Sequence, residues 1–159
     1  MPETNPMPEG FHSITPAMVV KDAKKAIQFY KKAFSAKEVM MLTGPNDSVV
    51  HAEIKIGDSM IMIGDEWPGH HVQSPATVNG TTLTLHIYVS DVDAAHRQAV
   101  AAGAKEVMAP ADMFWGDRFS SVMDPYGHSW SLATHVKTMS AEECQAACNE
   151  WMAKMSEGN

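Results

Sequence analysis

"AKEVM" stands at Ala36 to Met40 and again at Ala104 to Met108. The likeness continues outward from both copies. Upstream, Val20-Lys21-Asp22 and Val89-Ser90-Asp91 close the strand-like runs "ITPAMVV" and "TLTLHIYV". Each aspartate is placed to cap a following helix. In the first helix Ala23, Ala26, Ile27, Tyr30, Ala33 and Phe34 recur at three- and four-residue steps. In the second, Val92, Ala95, Ala99 and Val100 make the stripe, and Gly103 is placed to end it. Downstream, the pentamer begins a strand each time. Two more strands follow around a turn: "VVHAEIKI" and "SMIMIG" flank Gly57-Asp58, while "RFSSVM" and "HSWSLATH" flank "DPYG".

Strand-helix-strand-strand-strand, written twice, predicts a doubled unit. The expected organisation is a flexible tail over 1–10, a first βαβββ module over 11–64, a linker over 65–80 and a second module over 81–136. A helical extension over 137–159 lies outside the repeat and is opened by "SAEE", the serine and glutamate of a capping box. Its residues Cys144, Ala147, Cys148, Trp151 and Met155 fall on one stripe, which must be buried on its own sheet or on a partner chain. The fold class is α+β.

Charge and composition narrow the function. A net charge of −7 repels nucleic acid and anionic membranes, so neither is an expected partner. No run approaches the roughly 20 apolar residues of a membrane span, and "MPETNPMPEG" does not read as a signal peptide. Cys144 and Cys148 are four apart on a helix, a poor geometry for a disulfide. They read as free thiols in a reducing compartment, which by default is the cytoplasm.

The two βαβββ units, the V-x-D before each helix and the "DPYG" turn before the last strand resemble the vicinal oxygen chelate superfamily. "FWGDRFSSVMDPYGHSW" (114–130) is similar to the run leading into the D-P-x-G-N turn of bleomycin resistance proteins. "HSITPAMVVKDAKKAIQFYKKAF" and "HAEIKIGDSMIMIGDE" resemble the PhnB-like, glyoxalase-annotated branch. The resemblance covers residues 11–136. It implies two modules pairing their sheets around a central cavity that holds the metal or ligand, and chains that often associate as homodimers.

The family's metal enzymes place a ligand on the first and last strand of each module. Carried onto this chain, those positions are Thr15, Thr84, Ser131 and either Ile61 or Met62. A divalent ion needs imidazole or carboxylate donors, which this set does not offer. The expectation is therefore no cofactor and no metal at the usual site.

Strand alternation supplies other candidates. Val50, Ala52, Ile54 and Ile56 suit the helix side, so His51 and Glu53 face the cavity, joined by Met60 and Met62 if Gly57-Asp58 is a two-residue turn. His86 and Tyr88 share a face with Thr84, as His135 does with Ser131. His51, Glu53 and His86 could converge as a displaced set for a divalent metal. Phe114 and Trp115 could stack a flat ligand beside Asp117 and Arg118, or could close a loop over the core. Trp130 reads as helix-side core, and His12, His70, His71 and His96 as loop or surface residues.

The candidate ligand-binding residues are thus His51, Glu53, Met62, His86, Tyr88, Phe114, Trp115, Arg118 and Ser131. The leading expectation is a protein that binds a small organic molecule in the cavity without the usual metal. The alternative is a lyase, isomerase or dioxygenase using His51, Glu53 and His86 as a non-standard metal site. The sequence leaves open whether any reaction is catalysed.

Overall fold

The structure is a computed structural model that describes residues 5–157. The first four positions of the expected tail and the last two of the C-terminal extension lie outside the described residues.

Two four-stranded sheets carry the fold, one per module. In the first module, β1 (Ala17–Val20), α1 (Ala23–Phe34), β2 (Lys37–Thr43), β3 (Val49–Ile56) and β4 (Ser59–Asp65) give the order β1-β4-β3-β2. A short helix, α2 (Pro75–Val78), lies in the connection. In the second, β5 (Thr84–Tyr88), α3 (Val92–Ala102), β6 (Lys105–Asp112), β7 (Asp117–Met123) and β8 (Ser129–His135) give β5-β8-β7-β6. In both, the first strand runs parallel to the last and the remaining pairs are antiparallel. The α+β class and the doubled unit are as the repeat implies. α4 (Ala141–Glu157) follows.

The repetition extends to single hydrogen bonds. Asp22 and Asp91 accept from the backbone N–H three residues on, capping α1 and α3. One residue into each helix, a side chain of the last strand takes the N–H: Asp65 from Ala23 and Thr134 from Val92. Each pentamer glutamate reaches back to its own helix, Glu38 to Lys31 at 2.6 Å and Glu106 to His96 at 2.7 Å. Each pentamer also carries a bulge, with register shifts between Glu38 and Met40 and between Glu106 and Met108. The skipped valines, Val39 and Val107, are exposed.

α1 and α3 pack against each other, so the two modules share one core. Tyr30, Phe34 and Trp130 meet across the seam, with Tyr30–Trp130 ring centres 5.4 Å apart and Phe34–Trp130 4.6 Å apart. Trp130 is fully buried, the helix-side placement that its alternation with Ser129 and Ser131 predicts.

Several expected placements differ. Val50 is exposed and Val49 buried, because the β2–β3 register steps from Leu42–His51 to Thr43–Val49 and passes over Val50. The buried stripe of α3 is Val92, His96 and Ala99, while Val100 turns outward. His96 is buried with its Nε2 2.7 Å from Glu106 Oε2, while its Nδ1 has no hydrogen-bond partner among the described residues. The connection after β4 is structured: Ser74 is buried and donates both its N–H and its hydroxyl to Glu66, at 2.7 and 2.6 Å. Ser140 and Glu143 form the reciprocal capping box that opens α4. On that helix Cys144, Ala147 and Cys148 are half-buried, whereas Trp151 and Met155 are exposed.

Candidate functional site

Each sheet buries one face on its helix and leaves the other open. On the first sheet, Ala52, Ile54 and Ile56 go to the helix, and His51 and Glu53 stand on the open face. The register sets Leu42 beside His51, and sets Met40 and Met62 on either side of Glu53. His51 Nε2 lies 3.3 Å from Glu53 Oε1. On the second sheet, His86 and Tyr88 project from edge strand β5, and Ser131 of β8 lies opposite His86. His86 Nδ1 is 2.6 Å from Ser131 Oγ, and the His86 and Tyr88 rings meet edge-on at 4.7 Å.

These residues divide between two clefts. Glu53 and Met62 line one of about 560 Å³, walled by the N-terminal segment through Pro6, Phe11 and His12. His86 and Tyr88 line another of about 550 Å³, at the seam between β5 and the β3–β4 hairpin. His51 and Glu53 therefore do not meet His86 within one chain. Among the described residues, no group of three or more His, Cys, Asp or Glu side chains could hold a metal ion.

The register also settles which residue of the first module matches Ser131. Ala17 pairs with Met62 as His86 pairs with Ser131, so the position is Met62 rather than Ile61. The hydroxyls at the other two family positions are engaged locally: Thr15 donates to the His12 carbonyl and Thr84 to Ser129 Oγ, each at 3.0 Å.

The "FWGDR" segment splits across its strand. Gly116 has φ +100°, and a Cβ there would run into the Lys137 carbonyl. Its own carbonyl accepts from Val136 and Lys137, which pins the loop carrying Phe114 and Trp115 beside the end of β8. Phe114 meets Trp115 at 5.0 Å and Trp151 of α4 at 5.7 Å. Arg118 points the other way, to the helix side, where it grips Asp93 with two bonds of 2.6 and 2.9 Å and Asp112 with one of 3.1 Å. It is thus not brought together with Trp115, Tyr88 and His86.

Two residues outside the nine candidates, Asp117 and His135, stand at one end of the second sheet's open face. Asp117, nearly buried, accepts from His135 Nδ1 at 2.8 Å, Trp115 Nε1 at 3.2 Å and the Tyr88 hydroxyl at 3.3 Å. Its charge raises the Tyr88 phenol above the ordinary range. The signal for it was strand alternation: Asp117 and Arg118 are neighbours and must take opposite faces.

A family model described as the Glyoxalase/Bleomycin resistance protein/Dioxygenase superfamily matches residues 10–132. An uncharacterized protein of Mycobacterium bovis is 41% identical over 138 residues, spanning 85% of this chain and 91% of its own. Among solved structures, a gene product of Arabidopsis thaliana is 30% identical with a TM-score of 0.62, over 77% of this chain and 98% of its own. A PhnB protein of Bacillus cereus shares the fold at 19% identity and TM-score 0.61, over 77% and 99%.

Proposed function

The chain belongs to the glyoxalase/bleomycin resistance protein/dioxygenase superfamily, and from that premise we propose that it binds a small organic molecule on the open faces of its sheets without the family's usual metal. The observation that carries this reading is the set of side chains at the places where the family's metal enzymes carry their ligands: Thr15 and Met62 in the first module, Thr84 and Ser131 in the second. A hydroxyl, a thioether and two threonines are poor donors for a divalent ion. The second open face instead offers rings and hydrogen-bonding groups: His86, Tyr88, Trp115 and Phe119. We assign the chain to the PhnB-like branch on the motifs of its first module.

A homodimer belongs to the same reading. Leu42 and Tyr88, both on open faces, are exposed, as are the apolar Ile14 and Leu83 beside the strands. A second copy laid over these faces would cover them and deepen the clefts. No helix among the described residues is long and apolar enough to cross a membrane, and the free Cys144 and Cys148 suit the reducing cytoplasm we infer for it.

The experiment is a ligand screen by thermal shift on tag-free protein, run beside metal analysis and sedimentation. A ligand that raises Tm in the native chain and fails to in Tyr88→Ala supports the reading. One ion per chain, lost in a His51→Ala/His86→Ala double variant, would overturn it in favour of a metalloenzyme.

A further inference from the structure

Asp117 and His135 are directly opposite in the β7–β8 register, at the end of the second open face. The aspartate side chain is 6% exposed and the imidazole 54%. An ionised carboxylate only accepts, so the proton of the neutral imidazole sits on Nδ1 and Nε2 keeps its lone pair. That Nε2 lies 3.1 Å from the hydroxyl of Thr138, an exposed residue in the connection to α4. A buried acid, an imidazole fixed by it and a lone pair facing outward are the parts of a general base.

The surroundings indicate what such a base would serve. Trp115 and Tyr88 are tied by their polar atoms to the same carboxylate, so their rings are fixed rather than free. Phe119 stands 5.8 Å from Trp115 and nearly parallel to His86 at 6.1 Å. Rigid rings held at one oxygen of the Asp117 carboxylate, with an imidazole held at the other, favour a flat molecule with a proton to give. The pair is also particular to one half: counting along the repeat from Glu53–Met62 and Ser121–Ser131, the first module has Val49 and Glu66 at these places.

We propose that Asp117 and His135 form a proton-accepting dyad for a flat aromatic molecule whose hydroxyl is about as acidic as imidazole. The ring lies against Tyr88, Phe119 and Trp115, and the ligand O–H takes the place of Thr138 at Nε2. The ligand O–H bond breaks and an N–H bond forms at Nε2. The electron pair stays on the ligand oxygen, and Asp117 balances the imidazolium without taking the proton. This rests on the ligand-binding reading above and adds the class of ligand.

The probe is 4-nitrophenol, whose phenolate has a visible absorption band that the neutral form lacks, with nitrobenzene as the shape control. Below the free probe's own pKa, the native protein should increase the phenolate band on saturation. His135→Gln should abolish the increase and weaken the probe about tenfold, the loss of one charge-assisted hydrogen bond. Asp117→Asn should reduce it, and Thr138→Val, which spares the dyad, should keep it; circular dichroism checks each variant for folding. Nitrogen NMR should show the Nδ1–H tautomer of His135 in the native chain and its loss in Asp117→Asn. Equal binding of nitrobenzene and nitrophenol, indifferent to His135→Gln, would overturn the dyad and leave the ligand-binding reading standing. Failure of both probes, with some other screened molecule binding, would also overturn the dyad alone. Failure of every screened molecule would overturn both.

Discussion

The Tyr30 hydroxyl donates to Asp124 Oδ2 at 2.7 Å, which joins the helix of one module to the turn of the other. The same oxygen accepts from Trp130 Nε1 at 2.8 Å, and Oδ1 takes the N–H groups of Tyr126 and His128. The aspartate of "DPYG" thus shapes its own turn and closes the module seam. Tyr30→Phe leaves the ring in place and removes one donor to a buried carboxylate, so it should cost about 1–3 kcal/mol. Urea denaturation reads the loss. In the Tyr30→Phe background, Asp124→Asn should cost less than in the native chain, with a coupling of about 0.5–3 kcal/mol. Strict additivity would show that the two side chains do not act together.

Alkaline stability should report the same contact. Burial first, then the charge of Asp124, holds the Tyr30 phenol far above its ordinary 10.0, and burial raises Tyr126 as well. A folded pKa above the unfolded one gives stability that is intact below pH 10 and lost as the pH rises beyond it. Phenolate absorbance and circular dichroism followed together should show Tyr30 ionising only as the fold is lost. Tyr30→Phe should flatten the fall in stability above pH 10. A full complement of phenolate in a still-folded chain would contradict the burial of that hydroxyl.

The doubled unit was legible because strand ends, caps and turns are local, and local signals repeat when the unit does. The pentamer shows the limit of that reading. Its alternation suggests an ordinary strand, yet Val39 and Val107 sit in bulges and are 54% and 62% exposed. A bulge depends on how the partner strand is registered, which the strand's own letters do not carry. Val39→Thr and Val107→Thr should therefore change stability by less than about 0.5 kcal/mol. Ile54→Ala, in the fully buried face of β3, should cost about 2–5 kcal/mol. Thermal unfolding of the three variants separates bulge from core, and a valine variant as costly as Ile54→Ala would return the pentamer to the core.

Acid should loosen the connection between the modules. The Glu66 carboxylate is held at about 2 by hydrogen bonds from Ser74 and Thr77. Because the folded pKa is depressed, this contribution is complete above the ordinary carboxylate range and fades as the pH falls through it toward about 2. Protection of the Ser74 amide against hydrogen exchange, taken relative to its intrinsic rate at each pH, should fall in that window, and Glu66→Gln should remove the dependence. Titration of Glu66 at its ordinary value would show that the bonds to Ser74 do not persist in solution.

The candidate site was legible strand by strand but not as a whole. Alternation put His51, Glu53, His86 and Tyr88 on open faces correctly, because period two is a property of each strand alone. It could not show that the two sheets turn their open faces to different clefts, since that depends on how α1 and α3 pack. Arg118 shows the same limit at a single residue. It looks like part of an aromatic and charged ligand edge, yet its guanidinium is spent on Asp93 and Asp112 on the helix side. Those carboxylates hold its pKa above the usual arginine value, so it stays charged and paired at any working pH. Arg118→Ala should lower Tm slightly and leave the affinity for any screened ligand unchanged, whereas Tyr88→Ala should weaken that ligand while barely moving Tm. Thermal unfolding and titration calorimetry on the two variants make the comparison. Loss of ligand affinity in Arg118→Ala at unchanged Tm would place the binding surface on the helix side of β7, away from the open face.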